Sequence, residues 1–498
     1  MLKSLLISSL ILNIGILFGR LSGFVRESFM ASVYGVGSEA DIVVLMLSVP
    51  DILVNILMGG ALGAVLIPEF TRTPETARRL LYQSTLYFGL LFLLLTVFLY
   101  FNMEYLVSLL APGFNSAQLN TSIEVIRWVV WLVPLTVMSG ATTAFLQAKN
   151  QYAIPAMGTL MVNCSIILGL ETVRKVDGGL YLLSLFVLIG GVLRLASQIV
   201  RIGNITLSPL KSIKQFLISK ALIVRYIQAV ISGSTLLLFP VIARSQATYL
   251  EDGSVSVLNY ATKLVEFPLA LTVTFLSVVL LPPLSKSYYG NADVHEKTVK
   301  YGMQVTLVLS ILVASSLSAI SESYSSVVFG YGRITSEDIN SISGLASLGM
   351  LLLPLIGMST YLTSVFNSRQ NTQTPLFVNL SGLISFVLIC KSGIYGDDLR
   401  AVMLSMISGY ALISIFLLSL LRIDNIKWLK VLLEIKFIFS ALISSVLVYK
   451  ICSEIQELSL SNWQTIVLSA LVSSLFLTII TLLNNEVRER LIVKMRNL

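Results

Sequence analysis

Runs of about twenty apolar residues recur from one end of this chain to the other. A helix needs about 20 such residues to cross a ~30 Å hydrocarbon layer, and in lipid the backbone must satisfy its own hydrogen bonds. The recurrence restricts the chain to helical spans. Composition agrees. Only 12% of the 498 residues are charged, against ~25% in soluble domains, and mean hydropathy is +0.86. The chain reads as an all-α polytopic membrane protein with about fourteen transmembrane helices. The windows run from 5–34 and 41–70 to 432–451 and 464–484. The loop between windows 153–173 and 178–200 is short. The first run lacks a small-residue cleavage site followed by a polar segment, so it is expected to be a retained helix.

Loop charge orients the spans. Alternate loops carry Arg72, Arg78 and Arg79, then Lys149, then Arg201, Lys211 and Lys214, and so on to Arg488, Arg490 and Lys494. The intervening loops hold mainly Arg174, Lys175, Arg333, Lys391 and Arg400. By the positive-inside rule both termini are cytoplasmic. The net charge of +8 follows from this bias and does not imply nucleic-acid binding. The expected division is a six-helix lobe over 1–200, a basic cytoplasmic linker over 201–218, a six-helix lobe over 219–421, and two extra helices with a basic tail over 422–498.

The halves echo each other. Pro68 precedes Arg72 by four residues, and Pro282 precedes Lys286 by four. Lys149 precedes Pro155 by six, and Arg369 precedes Pro375 by six. The offsets, 214 and 220 residues, suggest two six-helix lobes in parallel repeat about an axis along the membrane normal, around a cavity that opens to either side. Prolines and basic residues also recur at helix ends in any membrane protein.

Several chemistries are excluded. Cys164, Cys390 and Cys452 have no CxxC spacing, which argues against a metal site or a disulfide framework. The single histidine, His295, lies in a polar stretch and is expected to be solvated, so a His-based metal site or a Ser-His-Asp triad is ruled out by count. No GxxxxGK[ST] motif occurs, so the chain itself does not hydrolyse ATP. No cofactor is expected and the chain is not expected to be an enzyme. A polyprenyl-phosphate glycosyltransferase would need an acidic catalytic cluster in a sizeable external loop. Here Glu251-Asp252, Glu337-Asp338 and Asp397-Asp398 are isolated pairs in short loops.

The informative residues are charges inside apolar runs. Arg20 and Arg26 lie in the first run. A guanidinium in hydrocarbon costs about 2.5–3.5 kcal/mol on insertion scales, so each should meet water, an anion or a carboxylate. Asp41 is one candidate partner; internal pairing or snorkelling is the other reading. On one helix the two arginines are ~9 Å apart in rise and about 120° apart in rotation, so they share a face only if the helix bends. Gly19 and Gly23 would permit that. Lys263 and Glu266, three apart before Pro268, suit either a buried ion pair or contact with substrate. Arg194 is a further cavity candidate, after Gly190-Gly191. The balance is positive, which suits an anion, and arginine suits phosphate through its planar fork. A cation-coupled drug exporter would prefer acidic cavity residues.

A family resemblance rests on Gly19-Arg-Leu-Ser-Gly-Phe-Val-Arg-Glu27, Tyr34-Gly-Val-Gly-Ser-Glu-Ala-Asp41, Ala111-Pro-Gly-Phe114, Glu266-Phe-Pro268, Leu280-Leu-Pro-Pro-Leu-Ser285, Phe329-Gly-Tyr-Gly332 and the stretch Phe366–Pro375. In these the chain resembles the MurJ/MviN family of lipid II flippases, within the multidrug/oligosaccharidyl-lipid/polysaccharide exporter superfamily. The resemblance implies alternating access with membrane potential helping to drive the cycle. It implies that Arg20, Arg26, Asp41 and Lys263 serve the pyrophosphate and sugar headgroup, and that the last two spans form a groove for the polyprenyl tail. Three positions depart from the family pattern. Val54-Asn55 stand where the family has an arginine, Gly59-Gly60 where it has Glu-Gly, and Lys263 replaces another arginine.

The expected function is a flippase that carries an undecaprenyl-pyrophosphate-linked saccharide, most simply lipid II, from the cytoplasmic to the outer leaflet. The alternative is a paralogue that moves another lipid-linked oligosaccharide or polysaccharide repeat unit. The expected substrate-binding residues are Arg20, Arg26, Asp41, Lys263, Glu266 and Arg194. Expected partners are the lipid-linked saccharide with its pyrophosphate headgroup, membrane lipids, and cell-wall synthesis proteins, with no nucleic acid. The expected location is the bacterial cytoplasmic (inner) membrane.

Overall fold

The structure, a computed structural model, describes residues 2–58, 61–72, 75–176, 179–203, 235–274, 284–288, 292–423, 435–458 and 460–483, with Gly290 and scattered residues between 218 and 230. Gly59-Gly60, Leu280–Pro283, most of the 201–218 linker, Glu434 and the basic tail lie outside them. Every described regular element is a helix. Among the described residues eight helical stretches are long and apolar enough to cross a membrane, or nine if one pair bent by 41° is a single span. The chain packs as two units, Met1–Ser256 and Val257–Leu498.

The first unit holds α1 (Leu2–Tyr34), α2 (Ser38–Met58), α3 (Ala61–Arg72), α4 (Ala77–Phe101), α5 (Met103–Leu110), α6 (Ser116–Val129), α7 (Leu132–Ala148), α8 (Ala153–Lys175), α9 (Gly179–Ile202), α10 (Leu238–Ala247) and the start of α11 (Ser254–Leu269). α1 packs on α8, α8 on α9, and α7 on α3, α4 and α9. α1 is one unbroken helical element, with no interruption at the glycines that would permit a bend. Its glycines have a different use. Gly15, Gly19 and Gly23 recur every four residues and so share a face. A Cβ at Gly15 would strike Ala156, and one at Gly19 would stand 3.3 Å from Thr159 Cβ. The missing side chains let α8 close on α1, the small-residue packing that associates helices in lipid. Arg127 keeps aromatic company: its guanidinium lies 5.8 Å from the Tyr100 ring, beside a Trp128–Tyr181 edge contact. Such aromatic rings gather at membrane–water boundaries.

The second unit continues α11 through a π-helical turn at Ala270–Thr274, then holds α12 (Ala292–Ala319), α13 (Ser321–Phe329), α14 (Ser336–Gly349), α15 (Leu352–Ser368), α16 (Gln373–Ser392), α17 (Leu399–Ile423), α18 (Ile435–Glu457) and α19 (Asn462–Leu483). The bent pair is α14 and α15. Buried Tyr361 on α15 donates to the Val299 carbonyl of α12 at 3.0 Å. Val308, Leu312, Val448, Cys452 and Ile480 join α12, α18 and α19 in an apolar cluster.

His295 corrects the expectation of a solvated histidine. It sits in the first turns of α12 and is 6% exposed. Its Nδ1 is 3.0 Å from Ser287 Oγ, Arg369 Nε donates to its Nε2 at 3.3 Å, and its ring meets Tyr288 edge-on at 5.3 Å. A short polar stretch between apolar runs looks the same in sequence whether it is a loop or a helix start packed under a neighbouring turn.

The repeat is more extensive in backbone than in sequence. α6 and α14, and α7 and α15, begin and end 220 residues apart. Both pairs are entered through capping boxes, Asn115 with Gln118 and Thr335 with Asp338, again 220 apart. Both leave through the same Schellman turn. Asn150 and Gln370 take φ of 57° and 59°. Gln151 N donates to Leu146 O, and Asn371 N to Phe366 O. Asn150 N and Gln370 N donate to Gln147 O and Asn367 O. The packing repeats too: α4 on α7 matches α12 on α15, and α8 on α9 matches α16 on α17.

Candidate functional site

The arginines of α1 differ in setting because, six residues apart, they fall on different faces of the helix. Arg26 is buried at 9% exposure. Its Nη2 meets Glu27 Oε1 at 2.6 Å, and its Nη1 donates to Asn163 Oδ1 at 3.3 Å. Asn163 comes from α8, where the glycine face of α1 admits it. Its Nδ2 donates to Ser22 Oγ at 2.9 Å and to the Gly19 carbonyl at 3.3 Å. The buried guanidinium thus has a carboxylate and a fixed amide, the condition on which buried charges persist. Arg20, on another face of the same helix, is exposed.

Arg194 lies on α9 toward α8, where a Cβ at Gly158 would come within 3.0 Å of its Nε. That Nε is buried, and the side chain makes no hydrogen bond or ion pair among the described residues.

Asp41 is held elsewhere. It is 2% exposed. Its Oδ2 accepts the Gly253 amide at 2.8 Å and its Oδ1 the Ser256 amide at 2.7 Å. A carboxylate in the first turn of α2 thereby caps the N-terminus of α11, where unsatisfied amides and the helix dipole favour negative charge. Gly253 is required there: its φ is +92°, and a Cβ would meet Val36 Cγ1 at 2.6 Å. Around this cap gather the motif loops noted in the sequence. Gln118 Nε2 donates to Ser38 Oγ at 2.9 Å and to Asp252 Oδ1 at 2.8 Å. Gly113 N donates to Thr248 Oγ1 at 3.0 Å. Arg244 Nη1 donates to Ser48 Oγ at 2.8 Å.

In the second unit Lys263 Nζ meets Glu266 Oε2 at 2.6 Å, with side chains 25% and 42% exposed. The pair is one turn before Pro268, which has no amide to give the Leu264 carbonyl. Tyr324 of α13 supplies the donor, its hydroxyl 3.3 Å from Leu264 O. The π turn follows at once, a feature common at functional sites.

Within the first unit, then, Arg26 and Asp41 occupy separate polar networks. Sequence reasoning missed Asn163, Gln118 and Tyr324. Asn163 alone carried a signal, an amide inside an apolar run; the other two act through contacts no spacing reveals. Among the described residues no three His, Cys, Asp or Glu side chains come close enough to hold a metal ion.

Comparison with known proteins adds the family. The family model described as lipid II flippase MurJ matches residues 30–485. A protein of Aquifex aeolicus named probable lipid II flippase MurJ is 26% identical over 432 residues, 81% of this chain and 82% of its own. The lipid II flippase MurJ of Burkholderia cenocepacia is 24% identical over 389 residues, 74% of each chain. Among solved structures, a lipid II flippase MurJ in an inward closed conformation superposes with a TM-score of 0.79 at 18% identity, covering 95% of this chain and 98% of that one. An inward-facing multidrug resistance MATE transporter reaches 0.69 at 14% identity, covering 82% and 95%. With a match that spans both units, the chain belongs to the MurJ family of lipid II flippases.

Proposed function

We propose that this protein flips lipid II across the bacterial cytoplasmic membrane by alternating access, with both termini cytoplasmic. The match to the flippase family over residues 30–485 carries this reading. The lobes that rock are 1–200 and 219–421, with 201–218 as their linker and 422–498 as added helices.

The residues that serve the headgroup are Arg20, Arg26, Asp41 and Arg194 in the first unit and Lys263 and Glu266 in the second. Two of the cations already hold an adjacent acid, Arg26 with Glu27 and Lys263 with Glu266. Pyrophosphate therefore binds by exchange: it displaces or shares a carboxylate that satisfied the cation before. Such exchange avoids leaving a bare charge in a low-dielectric site, which would be costly. The arginine forks add bidentate geometry that fixes the headgroup. Asp41 acts as a latch. Its cap on α11 closes one end of the path, and opening that end breaks two charge-assisted hydrogen bonds. Its partners Gly253 and Ser256 belong to the proposed second lobe, whereas Asp41 belongs to the first.

The deciding experiment reconstitutes the purified protein in liposomes with lipid II on one leaflet and follows headgroup arrival on the other with an impermeant reagent. Transfer should exceed that of protein-free vesicles and vanish with Arg20→Ala. Equal transfer with and without protein defeats the reading. Because Lys263 departs from the family arginine, a second lipid-linked saccharide belongs in the same assay; faster transfer of it would name the paralogous substrate.

A further inference from the structure

One cavity lies apart from all of these residues. In the second unit a space of about 670 Å³ opens between α12, α14, α15, α18 and the first turn of α17. That is within the ~300–1,000 Å³ of small-molecule sites. Apolar side chains share its wall with Ser315, Ser318, Ser347, Ser445, Tyr449 and Arg400. Some of these polar groups are committed. The Ser318 and Ser347 hydroxyls are 2.8 Å apart, and Ser445 donates to its own helix at Leu442 O, 2.7 Å away. The side chains of Arg400, Tyr449 and Ser315 make no hydrogen bond or ion pair among the described residues. Asp398, two residues from Arg400, is engaged as a helix cap that accepts the Ala401 amide at 2.7 Å. No acidic side chain is among the lining residues.

Depth and length point to one class of occupant. Arg400 is exposed in the first turn of a membrane-crossing helix, the level of lipid phosphates. From Tyr449, the exposed residues Val446, Leu442 and Phe439 descend one face of α18 at spacings of three and four. At 1.5 Å per residue this stripe is ~15 Å long, half of the ~30 Å hydrocarbon layer.

We propose that this cavity binds an anionic glycerophospholipid from the leaflet on the Arg400 side. The phosphate lies between Arg400 and the Tyr449 hydroxyl, the glycerol esters over the serines, and one acyl chain along the α18 stripe. A zwitterionic headgroup would bring an ammonium into a wall that offers no acid to meet it. On the topology proposed above the leaflet is the outer one. The site does not depend on the transport reading.

The test uses the full chain, purified in detergent, stripped of lipid and titrated with phosphatidylglycerol, with bound lipid counted by native mass spectrometry. Arg400→Gln should weaken binding about tenfold, the loss of one charge-assisted contact. Tyr449→Phe should weaken it less. Lys391→Gln, an exposed basic residue outside the cavity, should leave it unchanged. Phosphatidylethanolamine should bind weakly to all four proteins. Equal lipid-free melting temperatures for the wild type and Arg400→Gln would tie the loss to the site and not to misfolding. Unchanged phosphatidylglycerol binding by Arg400→Gln overturns the proposal. So does tight, Arg400-dependent displacement by a polyprenyl pyrophosphate, which would assign the cavity to the transported lipid.

Discussion

At the scale of single residues, the two arginines of α1 should respond differently to truncation. Arg20→Ala is expected to abolish flipping while expression and membrane insertion persist. A lost charge-assisted contact to phosphate is worth about 1.5–3 kcal/mol, a tenfold or greater effect. Arg20→Lys should keep part of the activity, since it retains charge without the fork. Normal transfer by Arg20→Ala in the liposome assay would make the residue structural. Arg26→Ala should instead lower the melting temperature, because it removes the guanidinium that meets the buried Glu27 carboxylate. Lys263→Arg should flip at least as well as the wild type, because Glu266 offers the longer side chain the same carboxylate. The sequence made these charges legible because each contradicts its apolar surroundings. It could not show that Arg26 is already satisfied by Asn163, because that contact joins residues 137 apart.

At the scale of elements, the cap on α11 and the glycine face of α1 make separate predictions. Asp41→Ala removes two acceptors from a helix N-terminus. A lost cap costs about 0.5–2 kcal/mol, so hydrogen exchange over residues 250–257 should quicken roughly 2- to 30-fold. Exchange as slow as in the wild type would mean that Asp41 does not hold the helix start. Gly15→Leu should separate α1 from α8. Overpacking of this kind typically costs about 1–3 kcal/mol, and the expected readout is a lower melting temperature with aggregation at detergent extraction. Here the sequence left a choice open. Gly19 and Gly23 were legible as a permission to bend, but a glycine can equally be a permission to approach. The choice depends on Ala156 and Thr159 arriving from another helix, and no local pattern encodes that arrival. Pro268 is similar. Its break in the ladder is evident from the sequence, whereas its repair by Tyr324, 60 residues beyond the Leu264 carbonyl, is not.

At the scale of the whole molecule, the proposed topology places residues 116 and 392 outside the cell. In a background lacking Cys164, Cys390 and Cys452, single cysteines at Ser116 and Ser392 should react with an impermeant maleimide applied to intact cells. Reaction only after lysis, at either position, would invert the assignment. Both serines are exposed, so silence would not reflect burial. The two-part fold was legible in outline from Lys149 with Pro155 and Arg369 with Pro375, because helix ends recruit basic residues and prolines. The agreement of the boundaries of α6–α7 with those of α14–α15 was harder to read: Pro134 and Pro354, and Met138-Ser139 and Met358-Ser359, stand 220 residues apart, but most of the other side chains between the boundaries differ. That contrast carries a historical consequence. Two stretches that share the same caps, the same left-handed turn residue and the same helix partners are read most simply as descendants of one ancestral half, copied in tandem. The inheritance stops short of the charges. Ser38 opens α2 and Ser254 opens α11, 216 residues later; at that distance from Arg20 and Arg26 stand Leu236 and Ile242. The copies diverged in where their ionic side chains stand while the backbone plan persisted: the second carries Arg244 two residues beyond Ile242, whereas a cation at the position of Arg20 belongs to one descendant alone.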